Sequence, residues 1–554
     1  MPTSRTGGQI LIDQLAIHGI ENVFCVPGES YLAALDALYE SPISITVCRQ
    51  EGGAAMMAEA TGKLTGKPGI CFVTRGPGAT NAAHGVHIAK QDSTPMILFV
   101  GQVGRDMQGR EAFQELDYRA VFGTMAKWAT EIDDAARIPE VVAHAFAVAT
   151  SGRPGPVVIA LPEDMLTEAA EVEDARAYTV PDPVPSAADI AAVLDSVESA
   201  DRPLAILGGS RWTAEARDAM HSVAEAFGLP VAVSFRRQML FSADHPNYIG
   251  DLSLGPNPSL VAYAKSADLV LLIGTRLSEV ASQGYTLLDA PTPRTRLIHV
   301  HPDPNELGRV YQTERGIATS PSAFVEALAG ALPASRIRRN AVAAERAAFE
   351  AWNTPRLRET GAVDMGAVIA WLRETLPPET VLTNGAGNYA TWLHRFYRFT
   401  RFNTQLAPTS GSMGYGVPAA VAAARLDKGR PVVAFAGDGC FLMNGQEFAT
   451  AIQYDLPIIV VIVDNAMYGT IRMHQEREYP GREMGTALTN PDFAAYAEAF
   501  GGYGERVETT SEFAPAFERA RAAGKPAILH CIVDPEAITI DATLSEIRAR
   551  ALSS

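Results

Sequence analysis

Two oxygen-bearing side chains in the last third of the chain stand in a pattern that suits a hard divalent cation. An apolar run, Pro431–Ala436, ends in Gly437-Asp438-Gly439, and a second, Leu456–Val463, ends in Asp464-Asn465. Read as strand, helix (Asn444–Tyr454) and strand, this is one β-α-β unit. Its two strand ends lie side by side at one edge of a parallel sheet, where sites form in such architectures. Asp438 and Asn465 are 27 positions apart in sequence and become neighbours there. A carboxylate and an amide oxygen suit Mg2+, whose octahedron is usually completed by phosphate oxygens and water. Gly437 and Gly439 let the backbone approach a phosphate. A bare Gly-Asp-Gly is more often a plain turn with the Asp as helix cap. The paired Asn465 and the free edge after it, Ala466-Met467-Tyr468-Gly469, favour a metal-diphosphate site.

This spacing resembles the signature of thiamine-diphosphate enzymes. The wider text, GDGCFLMNGQEFATAIQYDLPIIVVIVDNAMYGTIR, is similar to the acetolactate synthase, pyruvate oxidase and benzoylformate decarboxylase branch. The resemblance implies Mg2+ ligands at Asp438, Asn465 and the backbone carbonyl of Met467. It also implies cofactor contacts at Gly437, Gly439, Cys440, Tyr468 and Gly469. Asp464 departs from the family, which often has a first Asn there.

The first third carries matching text. Glu51 opens a segment, EGGAAMMAEATGKLTGKPG, that resembles the family's glutamate helix. By resemblance, Glu51 hydrogen-bonds N1′ of the aminopyrimidine and favours an imino form whose 4′ nitrogen takes the proton from thiazolium C2. Such a carboxyl needs apolar neighbours to share a proton at neutral pH. Taken alone, a Glu at a helix start is usually a surface residue favoured by the helix dipole. Val26-Pro27-Gly28-Glu29 resembles the loop that closes over the cofactor, which assigns Pro27 a contact. Thr74-Arg75-Gly76-Pro77-Gly78-Ala79-Thr80-Asn81 resembles a family segment with Arg75 replacing a small residue, and implies contacts from Thr74 and Asn81. Asp92-Ser93-Thr94-Pro95 follows at family spacing. Phe113-Gln114-Glu115 matches a segment whose Gln reaches the reaction centre; the plainer role for Gln114 is to cap backbone in a loop.

Further along, Thr409-Ser410-Gly411-Ser412-Met413-Gly414-Tyr415-Gly416 resembles the loop whose large apolar residue, here Met413, wedges between the two cofactor rings. Carbonyls of Gly411 and Met413 would take the aminopyrimidine contacts. Asn384-Gly385-Ala386-Gly387-Asn388 stands at the family's diphosphate loop and assigns contacts to Gly387 and Asn388. Candidate substrate contacts are Arg75, His84, His87, Arg472 and His474, each of which could equally be a surface or interface residue. His84 and His87 are spaced to share a helix face.

The resemblance implies a 2-oxo acid decarboxylase or carboligase working through a C2 ylide and an enamine. His474 aligns with the family's substrate-selecting Trp. Gly274-Thr275-Arg276-Leu277-Ser278-Glu279 replaces an acidic segment that lies near FAD in acetolactate synthases, so a bound flavin is not expected. A carbon-carbon lyase of the benzaldehyde lyase or 2-hydroxyacyl-CoA lyase type is the alternative, and a non-catalytic cofactor-binding paralogue is the rival outside the enzymes. In the family the two halves of a site come from different subunits. A homodimer or homotetramer is therefore expected, with Glu51 of one chain facing Asp438 of another.

These loops need rigid sheets to hold them. Short apolar runs recur between Ala-rich amphipathic stretches: Ile43–Cys48, Ile70–Thr74, Met96–Val100, Leu204–Leu207, Leu269–Ile273, Leu297–Val300, Val432–Ala436, Ile458–Val463 and Ala527–Val533. Continuous apolar strands alternating with helices mean parallel sheets covered on both faces. Linker-like text at Ala175–Ser186 and Pro333–Arg358 cuts the chain into residues 1–180, 187–335 and 355–554. The expected fold is α/β with three doubly wound parallel-sheet domains: pyrimidine-binding, central Rossmann-like and diphosphate-binding. The 554 residues carry a net charge of −17, with 47% apolar and 20% charged residues. That acidic balance argues against a nucleic-acid or anionic-membrane partner. Five scattered cysteines with no CxxC pair argue against structural zinc or a disulfide framework and fit a reducing compartment. The N-terminus lacks a long apolar core, and no run approaches the ~20 residues of a spanning helix, so a cytoplasmic setting is expected.

Overall fold

The computed structural model describes residues 4–332, 342–358 and 361–553. Three six-stranded sheets organise the chain, and every ladder within them is parallel. In the first domain the order across the sheet is Ser44–Val47, Asn22–Cys25, Gly69–Val73, Met96–Gln102, Pro156–Pro162 and Trp128–Glu131. In the third domain it is Gln405–Leu406, Val381–Asn384, Val432–Gly437, Ile459–Asp464, Ala527–Ile532 and Tyr503–Val507. Numbered within its own domain, each of these sheets runs two-one-three-four-six-five. The middle sheet differs. It runs Tyr248–Leu252, Val231–Ser234, Pro203–Leu207, Leu269–Ile273, Arg296–His301 and Arg315–Ala318, or three-two-one-four-five-six. Arg5–Thr6 and Ala169–Ala170 add a short antiparallel ribbon.

The central strands are apolar along their whole length because helices cover both faces, and Gly69–Val73, Met96–Gln102 and Leu269–Ile273 are buried throughout, whereas edge strands such as Tyr503–Val507 are partly exposed. Leu269–Ile273 matches its sequence reading residue for residue, the other eight runs shift by one or two positions, and strands such as Asn22–Cys25, Val381–Asn384 and Tyr503–Val507 are not among them. The first and third domains share one core cluster. In it the helix Glu51–Thr65 packs on the helix Gly416–Leu426, and both present buried alanines, among them Ala54, Ala55, Ala58, Ala419, Ala420 and Ala423.

Two sequence readings shift. The helix after Gly-Asp-Gly does not begin at Asn444. It begins at Asp438, with extended Gly437 as its N-cap, runs to Asn444, tightens into a 3-10 turn at Gly445–Glu447 and resumes at Phe448–Gln453. The tight turn follows from tertiary contacts. Gly445 lies against the Phe441 ring, and the fully buried Glu447 carboxylate accepts from the backbone N–H groups of Arg49 (3.1 Å) and Gln50 (2.9 Å) in the first domain. The stretch Pro333–Arg358 is not a simple linker: residues 333–341 lie outside the described residues, and Ala343–Asn353 is a helix whose Phe349 joins the middle-domain core. Residues 171–186 carry neither helix nor strand. All five cysteines are free and buried.

Candidate functional site

A cleft of about 280 Å3 opens at the carboxyl edge of the third sheet. Parallel strands Val432–Gly437 and Ile459–Asp464 pair in register, Gly437 beside Val463, so Asp438 and Asn465 emerge from adjacent strand ends. Both line the cleft, with Met467, Tyr468 and Gly469 beyond them and Gly437, Gly439 and Cys440 before. Gly387, Asn388, Gly411 and Met413 complete the wall. Every sequence-predicted residue of the diphosphate half is therefore brought to one place. The whole lining lies within residues 356–540.

The local geometry follows from the chain. Asp438 is the first helical residue and is only 3% exposed; its Oδ2 accepts from Asn490 Nδ2 at 2.8 Å. Burial pushes its carboxyl above the ordinary range. The same Asn490 amide also donates to Asp464 Oδ1 at 2.9 Å. On the Asp464 carboxyl, burial acts upward, but hydrogen bonds led by that from His530 hold it below the ordinary value. The Asn465 side chain accepts from Met467 N–H at 3.3 Å, across a turn in which Ala466 takes φ +55°. Tyr468 N–H and Leu488 N–H tie this turn to residues 486–488. Gly439 is needed for close approach: a Cβ there would lie 2.6 Å from the Tyr468 ring. One carboxylate, one amide oxygen and a nearby main-chain carbonyl make a hard, oxygen-only donor set that fits Mg2+ carrying phosphate oxygens.

Two assigned contacts are engaged within the protein. Asn388 bonds Thr470 through Oδ1 (2.9 Å) and the Ile538 carbonyl through Nδ2 (3.0 Å). Cys440 Sγ accepts from Gly414 N–H at 3.2 Å and meets the Tyr389 hydroxyl at 3.3 Å, so it pins the Met413 loop.

A second group gathers on the first domain. Glu51 opens its helix, half-buried, and accepts from Asn81 Nδ2 at 2.9 Å. A Cβ added to Gly78 would lie 3.5 Å from Glu51 Oε1, which puts the Thr74–Asn81 turn against the carboxylate. Gln114 takes φ +65°; its carbonyl accepts from Gly76 N–H at 3.0 Å while its buried Oε1 has no partner. It caps backbone through the main chain and leaves a side-chain acceptor for a ligand. Thr74 Oγ1 bonds Ser30 at 3.0 Å, and Pro27 is exposed above it.

The substrate candidates scatter. Arg75 is buried and paired with Glu29 (3.0 Å) and Glu163 (2.5 Å). Arg472 is buried in an ion cluster with Glu476 and Glu483, outside the cleft lining. His84 and His87 are exposed on Gly76–Asp92, and His474 is exposed on Gly469–Glu478. Sequence reading missed Asn490, His530 and Glu447. A histidine inside the apolar run Ala527–Ile532 was the one visible signal among them.

The middle sheet has its switch point between Pro203–Leu207 and Leu269–Ile273, where such sheets bind nucleotides. There a Cβ on Gly209 would lie 1.9 Å from the Gly274 carbonyl oxygen. The two turns touch there.

Family descriptions match all three domains. "Thiamine pyrophosphate enzyme, N-terminal TPP binding domain" covers residues 5–121, the central domain covers 190–328, and the C-terminal TPP binding domain covers 385–531. The chain is 32% identical to "Acetolactate synthase large subunit" of Parasynechococcus marenigrum, over 91% of this chain and 84% of that one. It is 29% identical to "Acetolactate synthase isozyme 2 large subunit" of Escherichia coli, over 95% of each. It is also 29% identical to "Probable acetolactate synthase large subunit" of Methanocaldococcus jannaschii, over 96% of this chain and 92% of that one.

Proposed function

Given that the chain belongs to the thiamine pyrophosphate enzymes and is an acetolactate synthase-like, thiamine-diphosphate-dependent enzyme, we propose that it is a Mg2+-dependent 2-oxo acid decarboxylase and carboligase. The observation that carries this reading is the single cleft in which Asp438, Asn465 and Met467 meet the Gly411–Met413 loop. Asp438, Asn465 and the Met467 carbonyl would hold Mg2+, and the backbone around Gly437–Gly439 and Tyr468–Gly469 would receive the diphosphate. Thiamine diphosphate, when bound, would supply the nucleophilic carbon and the electron sink that decarboxylation of a 2-oxo acid needs. Glu51 would exchange a proton with the aminopyrimidine N1′, Met413 would pack against the cofactor rings, and Gln114 would face the substrate.

Glu51, Thr74, Asn81 and Gln114 lie on the first domain, and the cleft lining comes from the third. This supports a homodimer or homotetramer in which one chain's Glu51 serves its partner's cleft. The segment 274–279, which replaces the acidic segment near FAD in the acetolactate synthases it resembles, favours an enzyme that works without FAD. Among the described residues no helix is long and apolar enough to cross a membrane, and a cytoplasmic setting suits the reduced cysteines. A second reading, a carbon-carbon lyase, is favoured by His474, which stands where the synthases select substrate with Trp.

The test is a panel of 2-oxo acids, with and without aldehyde acceptors, in which CO2 and C–C products are both measured. Release of CO2 with a ligated product is expected. Cleavage of 2-hydroxy ketones without turnover of any 2-oxo acid would favour the lyase, and no turnover in either direction would overturn both readings.

A further inference from the structure

The loop that carries Gly411 and Met413 is fixed at its far end within its own domain, through Gly414 N–H and Cys440 Sγ at 3.2 Å. Its near end is held from outside. Asp92 closes the helix Gly76–Asp92 of the first domain and is buried. Its Oδ1 accepts from Thr409 N–H at 2.6 Å and from the Thr409 hydroxyl. Its other oxygen pairs with Lys63, near the C-terminal end of the helix that Glu51 begins. Arg237 of the middle domain donates to the Asp92 carbonyl at 3.0 Å. One residue earlier in each segment, the buried Arg236 guanidinium donates to the Pro408 carbonyl. Arg236 does this from φ +56°, a conformation costly for a residue with a side chain.

Residues 408 and 409 are thus gripped by charged groups from the two other domains. Two hydrogen bonds to one buried carboxylate, plus one from a guanidinium, are charge-assisted and stronger than neutral ones. Gly411 (φ +67°) and Gly414 (φ +79°) give the segment between the two anchors sharp turns whose path depends on where the anchors sit. Thr409 itself is not part of the cleft lining.

We infer that Asp92 and Arg236 are positioning residues that set the Met413 loop from outside its own domain, so that the first and middle domains shape the cofactor site of the third. This deepens the proposed function and rests on it.

Thr409→Val removes the hydroxyl donor with little change of volume, and Thr409→Ser keeps it. Arg236→Met removes the guanidinium. Thiamine diphosphate with Mg2+ is titrated by calorimetry into each full-length protein, and the melting temperature is measured without cofactor. Thr409→Val and Arg236→Met are expected to bind about tenfold more weakly, the loss of one charge-assisted hydrogen bond at the site. Thr409→Ser is expected to bind as the parent does. Equal cofactor affinity in the parent, Thr409→Val and Arg236→Met would overturn the inference, even if their melting temperatures fell, because support of the fold alone would leave affinity unchanged. A parent protein that does not bind the cofactor would remove the proposed function, and this inference with it.

Discussion

The ring of His530 donates to the Asp464 carboxylate at 2.8 Å, one residue before Asn465, and His530 is 2% exposed. The site thus carries a second acidic side chain beside Asp438, and a buried imidazole answers it. Asn490 bridges this carboxylate to that of Asp438.

His530→Phe leaves Asp464 buried with one partner fewer, which costs about 1–3 kcal/mol. Urea unfolding should show that loss, and His530→Phe combined with Asp464→Asn should recover part of it. Equal midpoints for His530→Phe and the parent would mean that the pair contributes nothing to stability.

Glu51→Gln keeps size and a hydrogen-bonding tip but cannot take a proton. Turnover of any accepted 2-oxo acid should fall at least about 100-fold, as expected for loss of an acid–base group, while the cofactor still binds. Exchange of the C2 proton, followed by NMR in deuterated water, should slow in parallel. Unchanged exchange and turnover would show that the carboxyl has another task.

A chelator should release thiamine diphosphate from the protein, and added Mg2+ should restore binding. Gel filtration in EDTA followed by assay of the protein-bound cofactor reads this directly. Cofactor that stays bound without a divalent ion would remove Asp438 and Asn465 as metal ligands.

Purified protein should be colourless and show no flavin absorbance, because the segment 274–279 replaces the acidic segment that lies near FAD in the synthases it resembles. A stoichiometric flavin spectrum would contradict this.

Much of the fold was legible because buried parallel strands have no polar face, so their text is apolar from end to end. Leu269–Ile273 was found to the residue for that reason. The Asp438–Asn465 pairing was legible because one β-α-β unit contains both. The helix between them was misplaced because Gly445 and Glu447 answer to contacts with Phe441 and with Arg49–Gln50, which local periodicity does not record. Asn490 and His530 reach the site from distant segments. Arg472 looked available as a lone cation, but Glu476 and Glu483 already hold it.

The matching strand order of the first and third sheets puts their loops at equivalent positions. After the third strand of each sheet comes a glycine-rich turn, Arg75-Gly76-Pro77-Gly78 in one and Gly437-Asp438-Gly439 in the other. Glu51 follows the second strand of the first sheet, and the Met413 loop follows the second strand of the third. Two copies of one winding, packed against each other through alanine-lined helices, make the single chain an internal pseudo-dimer in which the same loop positions carry different side chains in each copy.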